Sequence, residues 1–261
     1  MTKTIWWSIL LFGLALVAAI LYYAIPKTQR EPEVQLPPQA AAPAAPAEPQ
    51  THFPIPQEAQ GTVLPPLNES DVALKEAFDG LWSARMTEGV FHLKDLVRRI
   101  VATIDNLPRK KVATRLLPVK QAAGKFLATG SEDNVAIRPD NAARYAVYVR
   151  LADAMDAHKL VALYVRFYPL FQQAYQDLGY PNGYFNDRLI VVIDDLLAAP
   201  QPQPPVKLVR PKVFYEFADP DLEALSAGEK ILVRIGNENA SRIKGKLREI
   251  RAELVRQGPR P

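Results

Sequence analysis

The stretch Ala157 to Leu178, AHKLVALYVRFYPLFQQAYQDL, decides the fold. Its apolar residues recur at helical spacing but cover more than one side, which marks a helix surrounded by other elements rather than one lying on a surface. This segment should therefore form the centre of the molecule. Pro169 removes one backbone donor, so a kink or break near Val165 is expected.

Working outward, the neighbouring segments also read as helices. Upstream, Tyr145, Tyr148, Ala152 and Met155 share a face, with Asp140 or Asn141 as the cap. Farther upstream, Val90, Leu93, Val97, Ile100 and Ile104 alternate spacings of three and four, predicting one helix that stops at Asp105-Asn106-Leu107-Pro108. Downstream, the turn Gly179-Tyr180-Pro181-Asn182-Gly183 precedes a helix carrying Leu189, Ile190, Ile193, Leu196 and Leu197, which should end before Pro200. Asp219-Pro220 supplies a cap followed by proline at the first helical position, and Ser226-Ala227-Gly228-Glu229 has capping-box spacing. The last helix aligns Ile243, Leu247, Ile250 and Leu254. Beside them Lys244, Arg248 and Arg251 form a basic stripe that reads as solvated charge, with a binding surface as the alternative.

Extended structure is sparse. Val206 to Phe217 is rich in valine and aromatics, but Pro211 confines it to an edge or a non-strand path. Lys125 to Thr129 with Val135 to Arg138 fit a small hairpin. The predicted fold class is mainly α, a compact helical domain with at most a few short strands.

Residues Trp6 to Ile25 contain no charge. At about 1.5 Å per residue such a helix spans about 30 Å, the thickness of a bilayer core. A signal peptide would have a shorter apolar region and a small-residue cleavage pattern. The aromatic pairs Trp6/Trp7 and Tyr22/Tyr23 sit where rings prefer the headgroup level. The reading is an uncleaved single-pass transmembrane helix.

From Lys27 to Pro66 the chain holds ten prolines in forty residues, too little apolar surface to offset its ordering entropy. This disordered linker has a contour of about 120 Å as polyproline II and a coil span of about 35 Å. Its end, Phe53-Pro54-Ile55-Pro56 and Val63-Leu64-Pro65-Pro66-Leu67, regains apolar residues and should dock in part. The resulting organisation is a tail at 1–5, the transmembrane helix at 6–25, the linker at 26–66, the helical domain at 67–258 and a tail at 259–261. Lys3 faces Lys27 and Arg30 across the span, so charge leaves both orientations open. The length of the tether favours an exported domain.

The chain carries a net charge of +4 and no cysteine. Disulfides, thiolate nucleophiles and cysteine-based metal sites are thereby excluded. No glycine pattern suits a phosphate-binding loop, and His52, His92 and His158 lack i+4 histidine partners for zinc. No cofactor is expected. Ser241-Arg242-Ile243-Lys244 matches S-x-x-K without its companion elements. The acid pairs Asp153/Asp156, Asp194/Asp195 and Asp219/Asp221 raise the possibility of glycan cleavage without nominating a pair.

The densest constellation runs from Tyr164 to Arg188. Tyr164, Tyr168, Phe171 and Tyr175, at spacings of three and four, read as core. Tyr180, Asn186, Asp187 and Arg188, in or beside a turn, together with Arg144 and Tyr145, are the candidate ligand-binding residues, since rings stack and guanidinium groups bond in forks. A ligand site requires Arg144, Arg188 and Tyr180 to converge on an open pocket.

Several of these stretches resemble a bacterial family catalogued as domain of unknown function 3014. They are Asp105-Asn106-Leu107-Pro108-Arg109, Asn141 with Arg144-Tyr145, and Tyr168-Pro169-Leu170-Phe171-Gln172-Gln173-Ala174-Tyr175. The resemblance continues in Leu178-Gly179-Tyr180-Pro181, Phe185-Asn186-Asp187-Arg188-Leu189, Tyr215 with Phe217-Ala218-Asp219-Pro220, and Leu225-Ser226-Ala227-Gly228. Glu229 stands where a glutamine is expected. The resemblance spans about Leu67 to the last helix. It implies a membrane-anchored protein of Gram-negative-type bacteria and carries over no reaction, ligand or catalytic residue.

The functional expectation is a membrane-anchored envelope module facing the periplasm, which binds or scaffolds a protein or cell-wall partner. A hydrolase or lyase acting on envelope glycan or peptidoglycan is the alternative. Nucleic acid is not an expected partner.

Overall fold

The structure is a computed structural model that describes residues 51–55, 63–131 and 134–257. Trp6–Ile25 and most of the linker lie outside these residues. Among the described residues no helix is long and apolar enough to cross a membrane.

The helices are α1 (Asp71–Leu81), α2 (Ala84–Val90), α3 (Leu96–Asn106), α4 (Ala146–Asp153), α5 (Ala157–Asp177), α6 (Phe185–Ala198), α7 (Pro220–Ala224), α8 (Ala227–Ile235) and α9 (Asn237–Arg256). Short strands β1 (Ala128–Thr129), β2 (Val135–Ile137), β3 (Lys207–Val209) and β4 (Glu216–Phe217) form an antiparallel sheet in that order. The fold is mainly helical with one small sheet.

Helix α5 is the central element. It buries ten side chains, among them Val161, Tyr164, Phe167, Tyr168, Phe171 and Tyr175, and packs against α3 and α9. Asp156 caps it by accepting from Lys159 N at 3.0 Å. The helix runs unbroken through Pro169, so the break considered from sequence does not occur. A main core gathers around α5, while the sheet has its own small core of Leu208, Phe217 and Val233.

The segment from Val90 to Ile104 is not one helix. α2 ends at Val90, Phe91 pairs with Val119 in an isolated bridge, and α3 starts at Leu96. The interruption is tertiary in origin. Asp71 on α1 accepts from Asp95 N at 2.8 Å and Leu96 N at 3.0 Å, capping α3 from another helix, while Asp95 takes a left-handed φ of 54°.

Val206–Phe217 is also divided. Pro211 falls in the loop between β3 and β4, and β3 is interior, pairing with both β2 and β4. The hairpin expected near Lys125–Arg138 forms, with Ala128 opposite Ile137. Asn141 does not cap α4; it is buried in a 3-10 turn, accepting from Leu127 N and donating to Arg234 O. Asp219 and Ser226 cap α7 and α8 as expected, and Glu229 completes the capping box by accepting from Ser226 N at 2.9 Å.

Lys244 departs from the solvated stripe. It is buried with Nζ donating to the Ala199 carbonyl, and Arg251 pairs with Asp194 at 2.6 Å. Only Arg248 of the three is exposed.

Candidate functional site

The six nominated residues occupy three separate places. Arg144 donates to the carbonyls of Ala123 at 3.1 Å and Gly124 at 2.9 Å, and to Asn141 Oδ1 at 3.2 Å. Five donors in a planar fork suit this gathering of a loop. Tyr145 lies beneath that guanidinium and packs beside the small cluster of Ala199, Leu232, Ile235 and Ala240. Both residues are committed to the fold, away from Tyr180 and Arg188.

The second place is a buried carboxylate. Asp105, 2% exposed, stands four residues after Val101 and eight after Val97, on the buried side of α3. Arg188 Nε donates to its Oδ1 at 3.1 Å, and Arg188 Nη2 donates to its backbone carbonyl at 2.7 Å. Arg109 Nη2 reaches Oδ2 at 2.7 Å, and the Tyr180 hydroxyl donates to the same oxygen at 3.3 Å. Arg109 also donates to the Tyr180 oxygen at 2.9 Å. Tyr180 stacks on Tyr175 with centroids 4.6 Å apart. The Asp105 carboxylate beside Arg109 pushes that guanidinium further toward its charged form.

The same helix end holds α8. Ala227 N and Gly228 N donate to the carbonyls of Arg109 and Leu107 at 2.7 and 2.9 Å. Gly228 permits this approach, since a Cβ there would lie 2.5 Å from Leu196 Cδ2 and 3.3 Å from Leu107 Cβ. Three stretches singled out in the sequence, Asp105–Arg109, Phe185–Leu189 and Leu225–Gly228, thus meet in one junction.

The third place receives the chain arriving from the linker. Asp187 accepts from His52 N at 2.9 Å and from Phe53 N at 2.8 Å, one on each carboxylate oxygen. Asn186 Nδ2 donates to the Phe53 carbonyl at 2.8 Å, and the Tyr184 hydroxyl accepts from Ile55 N at 2.6 Å. Ile55 is 5% exposed and joins the main core, with Phe53 and Leu64 packed against it. The linker end therefore docks, and the folded body includes residues upstream of Leu67. Tyr164 donates to Asn186 Oδ1 at 3.2 Å and holds the amide in place. Burial keeps the phenols of Tyr164 and Tyr168 well above the ordinary tyrosine range, so both remain donors.

Arg144, Arg188 and Tyr180 do not converge on an open pocket. A groove of about 720 Å³ beside Trp82, Met86 and Tyr148 contains none of the six. Five of the six acids considered for glycan cleavage have other work, and the sixth, Asp221, is exposed on the first turn of α7. Asp153 pairs with Arg242, Asp156 and Asp219 cap helices, Asp194 pairs with Arg251, and Asp195 accepts from Ser226 Oγ at 2.9 Å. Ser241 and Lys244 diverge, toward Gln201 and Ala199. Among the described residues no group of His, Asp and Glu side chains could hold a metal ion.

Asp105, Arg109 and Tyr184 were not nominated from sequence. A signal for Asp105 existed, because an acid in register with Val97 and Val101 at intervals of four must be buried and therefore paired.

Fold and site together define a mainly helical domain whose densest polar constellations tie its own elements and its incoming chain together. A family model described as protein of unknown function (DUF3014) matches residues 96–251, and the chain belongs to that family. No curated protein and no solved structure matches it.

Proposed function

We propose that the protein is a membrane-anchored module of the bacterial envelope, in which Trp6–Ile25 spans the inner membrane, residues 26–50 form a loose tether, and the helical domain binds or scaffolds a protein or cell-wall partner in the periplasm. The observation that carries this reading is the clamp on residues 52–55. Four hydrogen bonds to Tyr184, Asn186 and Asp187 hold the chain where the Pro/Ala-rich stretch ends. All but one involve backbone N–H groups, and together they give the tether a fixed point of attachment. Such a point transmits position from an anchor to a body, which is what a displayed binding module needs.

In vivo crosslinking followed by copurification tests the reading. A periplasmic or cell-wall partner should be recovered with the full chain and lost when the domain is deleted. Recovery of cytoplasmic partners alone rejects it, as does release of the full chain from membranes by alkaline carbonate.

A further inference from the structure

The hairpin joining β3 and β4 ends in apolar side chains that nothing in the described fold covers. Val213 is 69% exposed, Phe214 80% and Val209 45%. Isolated surface apolar residues need no explanation, but three on one hairpin form a patch. The patch is basic as well. From Val206 to Phe217 the charged residues are Lys207, Arg210, Lys212 and a single acid, Glu216, so the hairpin is net positive. Arg210 Nε donates to the Val213 carbonyl at 3.3 Å, and its guanidinium lies 5.6 Å from the Tyr215 ring centroid, which keeps the charge beside the apolar tip.

Behind the tip, Phe126, Tyr215 and Arg234 help to line a pocket of about 330 Å³. Arg234 is half-buried, with its guanidinium 4.8 Å from the Phe217 ring centroid. Among the described residues it has no carboxylate within ion-pair distance; Glu223 nearby is engaged by Lys230 at 2.8 Å. Guanidinium groups inside a fold are ordinarily matched by carboxylates or carbonyls. Burial lowers the pKa of Arg234, in keeping with a charge short of partners.

Exposed aromatic and branched side chains flanked by cations, with a further guanidinium behind them, fit a surface that is anionic outside and apolar immediately beneath. A bilayer with anionic headgroups has that profile. We propose that the β3–β4 tip contacts the surface of an anionic phospholipid bilayer, Val213 and Phe214 entering the headgroup boundary while Arg210, Lys212 and Arg234 face lipid phosphates. The inference rests on the anchored reading. The 25 residues from 26 to 50 extend to about 78 Å as polyproline II, ample for the body to return to the bilayer. A contact too small to hold a free protein suffices once a tether makes it intramolecular.

The absence of cysteine allows single-site labelling of the full chain. The chain would be placed in nanodiscs of phosphatidylcholine alone or with phosphatidylglycerol, carrying an environment-sensitive fluorophore at Val213→Cys. A blue shift is expected in the anionic discs, weakening in high salt and falling several-fold when Arg210→Glu and Lys212→Glu are added. A label at Val72→Cys, 68% exposed on α1, supplies the solvent baseline, and one at Leu14→Cys reports the anchor separately. A buried Leu14→Cys label with Val213→Cys at the baseline overturns the tip contact and leaves the anchor standing. A solvent-exposed Leu14→Cys label overturns the anchored reading, and the tip is then judged on the Val213→Cys shift in anionic discs. Equal shifts in both lipid compositions, unaffected by the glutamates, overturn recognition of anionic lipid. A shift that appears without lipid and grows with protein concentration overturns it in favour of a protein–protein contact.

Discussion

Asp187 and Arg188 are consecutive in the chain and do different work. Asp187 turns toward the incoming linker and binds two backbone N–H groups, whereas Arg188 turns inward to the buried Asp105. Successive helix residues point about 100° apart, so the first turn of α6 divides one polar cluster between two joints. One joint fixes residues 52–55 to the start of α6. The other fixes α3, α6 and the turn at Tyr180 to each other.

The largest expected difference between the joints comes from Asp105→Ala. It leaves Arg188 without its carboxylate and deprives Arg109 and Tyr180 of a common acceptor, and removing one partner of a buried ion pair costs about 3–5 kcal/mol. Urea unfolding should show a lowered midpoint with an unchanged slope. A loss below about 1 kcal/mol would place the pair among ordinary surface bridges.

Next comes Gly228→Ala, which tests the approach of α8 to the same helix end. The added Cβ would meet Leu196 and Leu107. Overpacking of this kind costs about 1–3 kcal/mol. Because Leu196 Cδ2 is the far end of a flexible side chain and Leu107 Cβ is fixed directly to the backbone, adding Leu196→Ala should recover only part of the loss. Full recovery would mean that Leu107 is not a constraint.

Smaller again is Asp187→Ala, at about 1–2 kcal/mol for the lost hydrogen bonds to backbone donors. Here the location of the effect matters more than its size. Hydrogen exchange at His52 and Phe53 should accelerate strongly while amides of α5 hold close to their original rates, because the clamp opens locally. Uniform acceleration through α5 would show that the two joints are one cooperative unit.

These joints explain how much was legible in sequence. Periodicity located the central helix, the last helix and the helix from Phe185 to Ala198, because each buries a stripe set by its own spacing. Cap chemistry located Asp219 and Ser226, because the partner lies within one turn. The same reasoning failed at Val90–Leu96, where the terminating groups belong to Asp71 on another helix, and at Asn141, whose partners are Leu127 and Arg234. It failed for Lys244, since an aliphatic stem beside an apolar stripe can carry its ammonium inward to a carbonyl at the end of α6. The candidate ligand residues were recognised as special through their type and position near a turn. What they hold depends on chain segments 20 to 135 residues away, which local pattern does not encode.

The smallest expected effect is a contrast in pH dependence between the sheet side and the α6–α8 junction. Burial raises the Asp195 carboxyl above its ordinary 3.8, against the lowering influence of the Ser226 hydrogen bond. An acid whose folded pKa is raised binds its proton more tightly in the folded state, so its contribution declines as pH rises from the ordinary value through the raised one. Glu223 has the opposite balance. Burial would raise it, but the Lys230 hydrogen bond and the Phe217 N–H together hold it below its ordinary 4.5, so its contribution is present above that value and is lost as pH falls through the lowered one. Asp195→Asn should therefore match or exceed the parent at neutral pH and lose that advantage in acid. Glu223→Gln should be less stable at neutral pH and converge on the parent in acid. Each difference should stay within about 1 kcal/mol, measured by urea unfolding from about pH 3 to about pH 8. Parallel pH curves for the two variants would show that neither environment perturbs its carboxylate as the geometry requires.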